Sequence, residues 1–198
     1  ALSGLLHQVG PRGGKPVPPL NVVGDYGGGG LLLAFGVVCA LLERGRSGRG
    51  QVVDAAMVDG AVSFLAATIG LRGMGLWRDA PGANFLTGAA HYYDTYETRD
   101  GKWVAVGAIE PQFHRPMLER LGLDPAEFRG GEGFAGAPYD ELVDEVWPTL
   151  KARLAEAIRR HTRDELERLF EGVDACVTPV LDLDEAARHP HNVARGAY

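Results

Sequence analysis

The sequence predicts an α/β protein on three observations. Segments typical of strands and of helices alternate through the second half of the chain. An apolar run at 31–42 is typical of a buried helix. The chain has 198 residues, of which 45% are apolar and 23% charged, enough to enclose a core. A loop rich in glycine and proline begins at Gly73, and we expect the two halves to divide near Ala90.

In the first half we expect helices around a glycine-rich turn. We predict a short helix or turn at 2–6, a brief strand at 20–23, a flexible turn at 24–30, the buried helix at 31–42, a strand end at 51–54 and a helix at 55–71. Asp54 is suited to be the N-cap of the last of these helices.

The clearest local pattern is a β-hairpin. The segments 92–97 and 102–109 are strand-like, and Asp100-Gly101 between them is typical of a type I′ turn. Pro111 then indicates the first residue of a helix, which Pro116 should shorten or kink.

The last third of the chain is predicted to be mostly helical. We expect a glycine-rich loop at 130–138, helical structure from Tyr139 and a fresh helix from Pro148 to about His161. Thr162 and Glu165 have the spacing of a capping box, and Gly172 should end the helix that follows. A strand at 176–181, a helix at 184–188 and an exposed tail complete the prediction.

Composition argues against several partners and sites. Twenty Lys and Arg against 26 Asp and Glu give a net charge of -6 without any basic block, so nucleic acid is a poor electrostatic partner. The run at 31–42 is shorter than the about 20 residues that cross a bilayer, so we expect no membrane span. The two cysteines form no disulfide framework, and no histidine or cysteine spacing indicates a metal site. We expect a cytoplasmic protein.

Two carboxylates stand where chemistry could occur. Asp25 lies beside a run of glycines ahead of an apolar helix, where backbone N–H groups can stabilise negative charge, although capping of the turn explains it equally well. The glycines match neither a P-loop nor Gly-x-Gly-x-x-Gly, which disfavours a nucleotide site. Glu110 follows a strand at a sheet edge, where helix capping is the more common role. Of Tyr92, Tyr93 and Tyr96, two should pack in the core, and alternation puts Tyr93 on the opposite face from the others.

Several ordered motifs resemble one family. The segments 21–29 and 50–60 resemble the family III CoA-transferase superfamily, and 92–97 and 107–113 are similar to its α-methylacyl-CoA racemase branch. The segment 174–180 also resembles the family's return strand. The resemblance covers nearly the whole chain. It implies the end of a Rossmann-like large domain with linker helices at 1–90, a small α/β domain at 91–175 and a return strand and linker at 176–198.

The resemblance also implies an activity and site residues. It implies an interlocked homodimer that moves a proton at the α-carbon of 2-methylacyl-CoA thioesters, with no metal or organic cofactor, since coenzyme A is part of the substrate. Asp25 matches one acid/base of the family, and Glu110 a polariser or partner of the catalytic histidine. By the same resemblance, the substrate-binding positions are Asn21, Gly24, Tyr93 and Ile109.

The proposed reaction passes through an enolate, which needs a base on one face and, for inversion, a second acid/base on the other. Burial of Asp25 would raise its pKa toward a useful value. The family's second acid/base is a histidine in a Gly-His-Asp motif, which the resemblance places before Ala1. We therefore expect an internal fragment that is inactive alone.

Two alternatives remain open at the level of sequence. One is a CoA-transferase of the same superfamily, in which Asp25 is a nucleophile that forms a mixed anhydride. The run Ile109-Glu110-Pro111-Gln112 favours the racemase. The other is a non-catalytic dimerisation module. The exposed surface would separate the two interpretations, since an isolated enzyme fragment should show a large apolar patch where the missing lobe docks.

Overall fold

The computed structural model describes residues 1–128 and 138–198. It divides into two compact units, Ala1–Thr87 and Gly88–Tyr198, here called unit 1 and unit 2. The described part of unit 1 is built from helices, whereas unit 2 combines helices with a three-stranded sheet. The predicted α/β class is confirmed. The segment 176–198 lies in unit 2 with the small sheet.

Unit 1 is helical where short strands and a turn were predicted. In chain order its elements are α1 (Leu5–Gln8), a π-helical segment (Val22–Leu31), α2 (Leu32–Ser47), α3 (Met57–Phe64) and α4 (Ala66–Gly73). The described residues form no strand at 20–23 or 51–54, and the glycine run is helical rather than a flexible turn. Ala56, not Asp54, is the N-cap of α3.

The glycine run is helical because it packs directly against α3. A Cβ atom added to Gly60 would lie 2.0 Å from the carbonyl oxygen of Gly28. A Cβ atom on Gly28 would lie 3.2 Å from the backbone nitrogen of Ala61. Only glycines allow two backbones to approach this closely, so the run serves a helix contact rather than flexibility.

The apolar run forms a helix as predicted, but the predicted burial is wrong. Helix α2 continues to Ser47 and ends at Gly48, which has a φ of 72°. None of its residues is buried, and the side chains of Phe35 and Leu42 are 67% and 68% exposed. The reason is that no layer of described residues covers this helix.

The helical stretch is also longer than the apolar run indicates. From Val22 to Ser47 it spans 26 residues and contains an 18-residue window with a mean hydropathy of 1.6, which is enough by length and composition to cross a membrane. The argument that this segment is too short is therefore wrong. One such helix is weak evidence for a span, since core helices and signal sequences pass the same test. The absence of a membrane span stays a prediction.

Unit 2 contains the predicted hairpin. Strands β1 (Tyr93–Glu97), β2 (Trp103–Gly107) and β3 (Val177–Pro179) form an antiparallel sheet in the order β1-β2-β3. The turn is not type I′, which needs positive φ at two residues. Gly101 alone in this turn has a positive φ, of 71°, and its N–H donates to the Thr98 carbonyl at 3.0 Å.

The remaining elements of unit 2 are helical. They are α5 (Pro111–Arg120), a 3-10 turn (Pro125–Phe128), α6 (Tyr139–Glu141), a π-helical turn (Leu142–Val146), α7 (Trp147–Ile158), α8 (Arg163–Leu169), α9 (Leu183–Arg188) and α10 (Pro190–Arg195). Pro116 lies inside α5 without ending it. Pro148 lies at the start of α7, as predicted, although α7 continues directly from the π-helical turn before it. The predicted tail forms α10. The predicted glycine-rich loop lies almost wholly at 129–137, outside the described residues.

Unit 2 encloses a core between its sheet and helices. Val104, Met117 and Leu154 are at most 1% exposed and belong to one cluster of packed apolar side chains. The predicted capping box of Thr162 and Glu165 is confirmed at the start of α8. A second box, of Asp182 and Glu185, starts α9.

Candidate functional site

Asn21, Gly24 and Asp25 lie together in unit 1, where the π-helical segment begins. The Asn21 carbonyl accepts the N–H groups of Asp25 and Tyr26 at 3.1 and 3.2 Å. Asn21 is the N-cap, and its side chain makes no capping hydrogen bond, whereas Asp25 lies in the first turn. A carboxylate in the first turn stabilises the helix start through the helix dipole. The Asp25 side chain is exposed, so the expected burial is wrong, because this first turn lies at the surface of unit 1.

Asp25 lines a cavity of about 190 Å³ within unit 1. Most of the surrounding wall is apolar and includes Leu6, Pro18, Leu20 and Val23. Sites for small molecules commonly combine an apolar wall with few polar groups that orient the ligand. A single carboxylate beside apolar side chains is suited to an acyl group and unsuited to a phosphate.

Tyr93, Ile109 and Glu110 lie close in the chain topology of unit 2. Tyr93 pairs with Gly107 at the end of β2, and Ile109 and Glu110 follow that strand directly. The Tyr93 side chain is 37% exposed, whereas Tyr92 and Tyr96 are at most 3% exposed. The prediction that two of these three tyrosines pack in the core is confirmed.

Glu110 is the N-cap residue of α5, but its carboxylate makes no capping hydrogen bond. The cap is made by its backbone, since the Glu110 carbonyl accepts the N–H groups of Phe113 and His114, both at 2.9 Å. The side chain is exposed. The carboxylate is therefore not used to cap the helix.

Cys176 lies near Glu110 at the beginning of the return strand. Its backbone has a φ of 49°, and its carbonyl accepts the N–H of Gly107 at 2.9 Å. Burial raises the pKa of the Cys176 thiol, and the carboxylates of Asp174 and Glu110 raise this pKa further. This contact joins the end of β2 to the start of β3 beside Glu110.

Unit 2 also contains a pair of buried histidines that was not predicted from the sequence. His91 and His114 are at most 1% exposed, and their Nε2 atoms are 2.8 Å apart. Burial, and then His114, lowers the pKa of His91 to about 3. The apolar neighbours of each histidine indicate burial, but no sequence spacing indicates the pairing. The pairing of the two histidines depends on the hairpin, which brings the start of α5 back beside the residues that precede β1.

The six predicted site residues are divided equally between the two units. Asn21, Gly24 and Asp25 belong to unit 1, and Tyr93, Ile109 and Glu110 belong to unit 2. Within each unit the three residues are local to one another. Among residues 1–128 and 138–198, no group of three or more His, Cys, Asp or Glu side chains is arranged to hold a metal ion.

The chain is similar to known proteins along its whole length. The model of CoA-transferase family III matches residues 1–198. Two α-methylacyl-CoA racemases, from Mus musculus and Homo sapiens, are 45% and 42% identical over all of this chain and 49% of their own length. The α subunit of succinyl-CoA–L-malate CoA-transferase from Chloroflexus aurantiacus is 28% identical over the whole chain and 45% of its own length. The chain thus spans about half the length of these curated relatives.

Solved structures share the fold. A crystal structure of Rv3272 from M. tuberculosis superposes with a TM-score of 0.71 at 19% identity, covering 98% of this chain and 49% of that chain. A CaiB/BaiF family protein from Brucella suis gives a TM-score of 0.67 at 22% identity, covering 98% and 50%. At these identities the likeness concerns the fold.

Proposed function

Because the chain belongs to CoA-transferase family III, we propose that it is part of a racemase that interconverts (R)- and (S)-2-methylacyl-CoA thioesters. The similarity to two α-methylacyl-CoA racemases over all of the chain carries this proposal. The position of Asp25 on a mostly apolar cavity supports it. The protein acts as a homodimer, and the exposed apolar face of α2 supports an association of this kind.

Asp25 serves as one acid/base of this reaction. A base removes the α-proton, the electron pair moves into the thioester carbonyl, and the enolate then receives a proton on its other face. Asp25 lines the cavity, and its side chain is exposed. The second acid/base is the histidine that the family resemblance places before Ala1.

Glu110 and Tyr93 are the residues of unit 2 to which the family resemblance gives supporting roles in this reaction. The Glu110 carboxylate is exposed and unused by the helix that it starts, so it is able to act on another group, here the catalytic histidine. The Tyr93 side chain is the outward-facing tyrosine of the hairpin. Asn21, Gly24 and Ile109 complete the substrate-binding positions. The reaction uses no metal and no organic cofactor, and coenzyme A counts as part of the substrate. The protein is cytoplasmic.

Loss of the α-proton signal from 2-methylacyl-CoA in deuterated water tests the proposal. We expect washout by the natural full-length protein that carries this sequence, and none by the 198-residue chain alone. Asp25→Ala should slow washout by at least about 100-fold, because it removes one proton carrier, and should leave dimerisation intact by sedimentation. Asp184→Asn, at an exposed position of α9, is the matched control.

A CoA-transferase is the second candidate, since relatives at 28% identity are transferases. In that reaction the Asp25 carboxylate attacks the thioester carbonyl, the C–S bond breaks, and coenzyme A leaves as a mixed anhydride forms. Passage of coenzyme A to an added carboxylic acid, without washout, would establish this activity in place of racemisation. Neither activity, with an intact dimer, would indicate a non-catalytic dimerisation module.

A further inference from the structure

Two buried imidazole rings connect the segments of unit 2 that carry its predicted site residues. The Nε2 atoms of His91 and His114 are 2.8 Å apart, within hydrogen-bond distance. His91 precedes β1, where Tyr93 lies, and His114 is in the first turns of α5, which Glu110 begins. The hydrogen bond therefore spans from the start of the hairpin to the start of the helix.

Hydrogen bonds anchor the backbone near each ring. The N–H of His114 donates to the carbonyl of Glu110 at 2.9 Å. On the other side, the Tyr96 hydroxyl donates to the His91 carbonyl at 2.5 Å, and the Tyr93 N–H donates to the Ala90 carbonyl at 3.2 Å. Since His91 lies two residues before Tyr93 and the His114 backbone is bonded to that of Glu110, each ring is carried by backbone adjoining a predicted site residue.

Aromatic side chains confine the two rings. The Phe128 ring centroid lies 5.4 Å from that of His91 and 6.3 Å from that of His114. The Tyr92 ring lies 6.3 Å from His114 and 6.0 Å from Trp147, which is itself completely buried. Swinging a ring away would require this packed cluster to rearrange, so the pair has one stable arrangement.

The bond between the two rings needs one Nε2 atom that donates a hydrogen and one that accepts it. His91 is neutral near pH 7, since burial and His114 lower its pKa to about 3. Among the described residues, Nδ1 of His91 has no hydrogen-bond partner, so its ring is held by His114 and by packing.

We propose that His91 and His114 form a positioning pair that fixes Tyr93 and Glu110 relative to one another. The inference rests on the proposed function, because only a shared substrate requires a fixed spacing of the two side chains. Neither histidine touches the reacting atoms. Their contribution is geometric, and a misplacement of about 1 Å can lower a rate by about 100-fold.

Three variants of the natural full-length protein test the pair. His114→Leu removes the ring bond and leaves His91 alone. His114→Gln keeps an amide group near the position of Nε2, able to donate to or accept from His91. The double variant His91→Leu/His114→Leu removes both polar groups, which avoids an unsatisfied buried partner. His191→Leu, at an exposed position, is the matched control.

Amide hydrogen exchange measures the positioning directly. In His114→Leu, the amides of Tyr93 and Phe113 should exchange at least about tenfold faster, while the amide of Leu166 in α8 keeps its rate. Unchanged rates at Tyr93 and Phe113 would overturn the proposal. Equal acceleration at all three amides would overturn it too, because that pattern indicates only a lower global stability.

Steady-state kinetics separates positioning from folding. We expect kcat to fall about 10- to 100-fold in both His114→Leu and the double variant, with KM within about twofold of the wild type. His114→Gln should retain kcat within about threefold, since the hydrogen bond is rebuilt. Full recovery of kcat in the double variant would overturn the proposal. Absence of washout by the wild type would instead reject the proposed function, while amide exchange still decides whether the pair fixes the two segments.

Discussion

An apolar helix is buried in unit 2, whereas an apolar helix is exposed in unit 1. In unit 2, α7 buries Leu154 and Ile158, which are at most 1% exposed, within a closed apolar cluster. In unit 1, the more apolar α2 has no buried residue. The difference shows that an apolar sequence determines a helix but not its burial. Burial requires a second layer of structure, which the described part of unit 1 does not supply.

The largest expected effect concerns the closed core of unit 2. Leu154→Ala should lower the free energy of unfolding of this unit by about 2–5 kcal/mol, because it leaves a cavity in a packed cluster. Hydrogen exchange of the full-length protein, resolved by peptide, measures this change. Leu183→Ala, at a leucine that is 81% exposed, should change the value by less than about 0.5 kcal/mol. Equal costs at the two leucines would contradict the contrast between the units.

The second expected effect concerns the helix contact in unit 1. Gly60→Ala should cost about 1–3 kcal/mol, because the new methyl group would lie 2.0 Å from a backbone oxygen of Gly28 and force the helices apart. Urea unfolding monitored in unit 1 measures the loss. Gly70→Ala is the matched control, since nothing lies within 4 Å of the added Cβ, and it should gain about 0.5–1 kcal/mol. A stabilising Gly60→Ala would show that the glycines are not needed for packing.

The smallest expected effect is an acid sensitivity specific to unit 2. The pKa of His91 is lowered from 6.5 to about 3, so between these values the unfolded chain binds a proton that the folded chain does not. The free energy of unfolding is therefore unaffected by this histidine above pH 6.5 and decreases as the pH falls from 6.5 toward 3. From pH 7 to pH 5.5 the loss is about 1 kcal/mol.

Unfolding of unit 2 at the two pH values, compared between the wild type and the double leucine variant of His91 and His114, isolates this effect. The double variant should be less sensitive to acid, and His191→Leu should behave as the wild type does. Identical acid sensitivity in all three proteins would contradict a buried, neutral His91.

The candidate carboxylates and one helix cap were predicted from sequence because their signals are local. Asp25 and Glu110 each lie within a short motif, and the capping box of Thr162 requires residues only three positions apart. The glycine run was misread because glycine fits both a loose turn and a close helix contact, and its neighbours cannot distinguish them. The partner that decides is Gly60, far along the chain.

The sequence by itself determined the α/β class, the hairpin, the proline start of α5 and the candidate carboxylates, since each depends on periodicity or on residues a few positions apart. Only the tertiary structure decided that α2 is uncovered, that Gly28 meets Gly60 and that His91 bonds to His114. These features depend on which distant segments the fold brings within a few ångströms of each other. Local sequence patterns do not indicate such contacts.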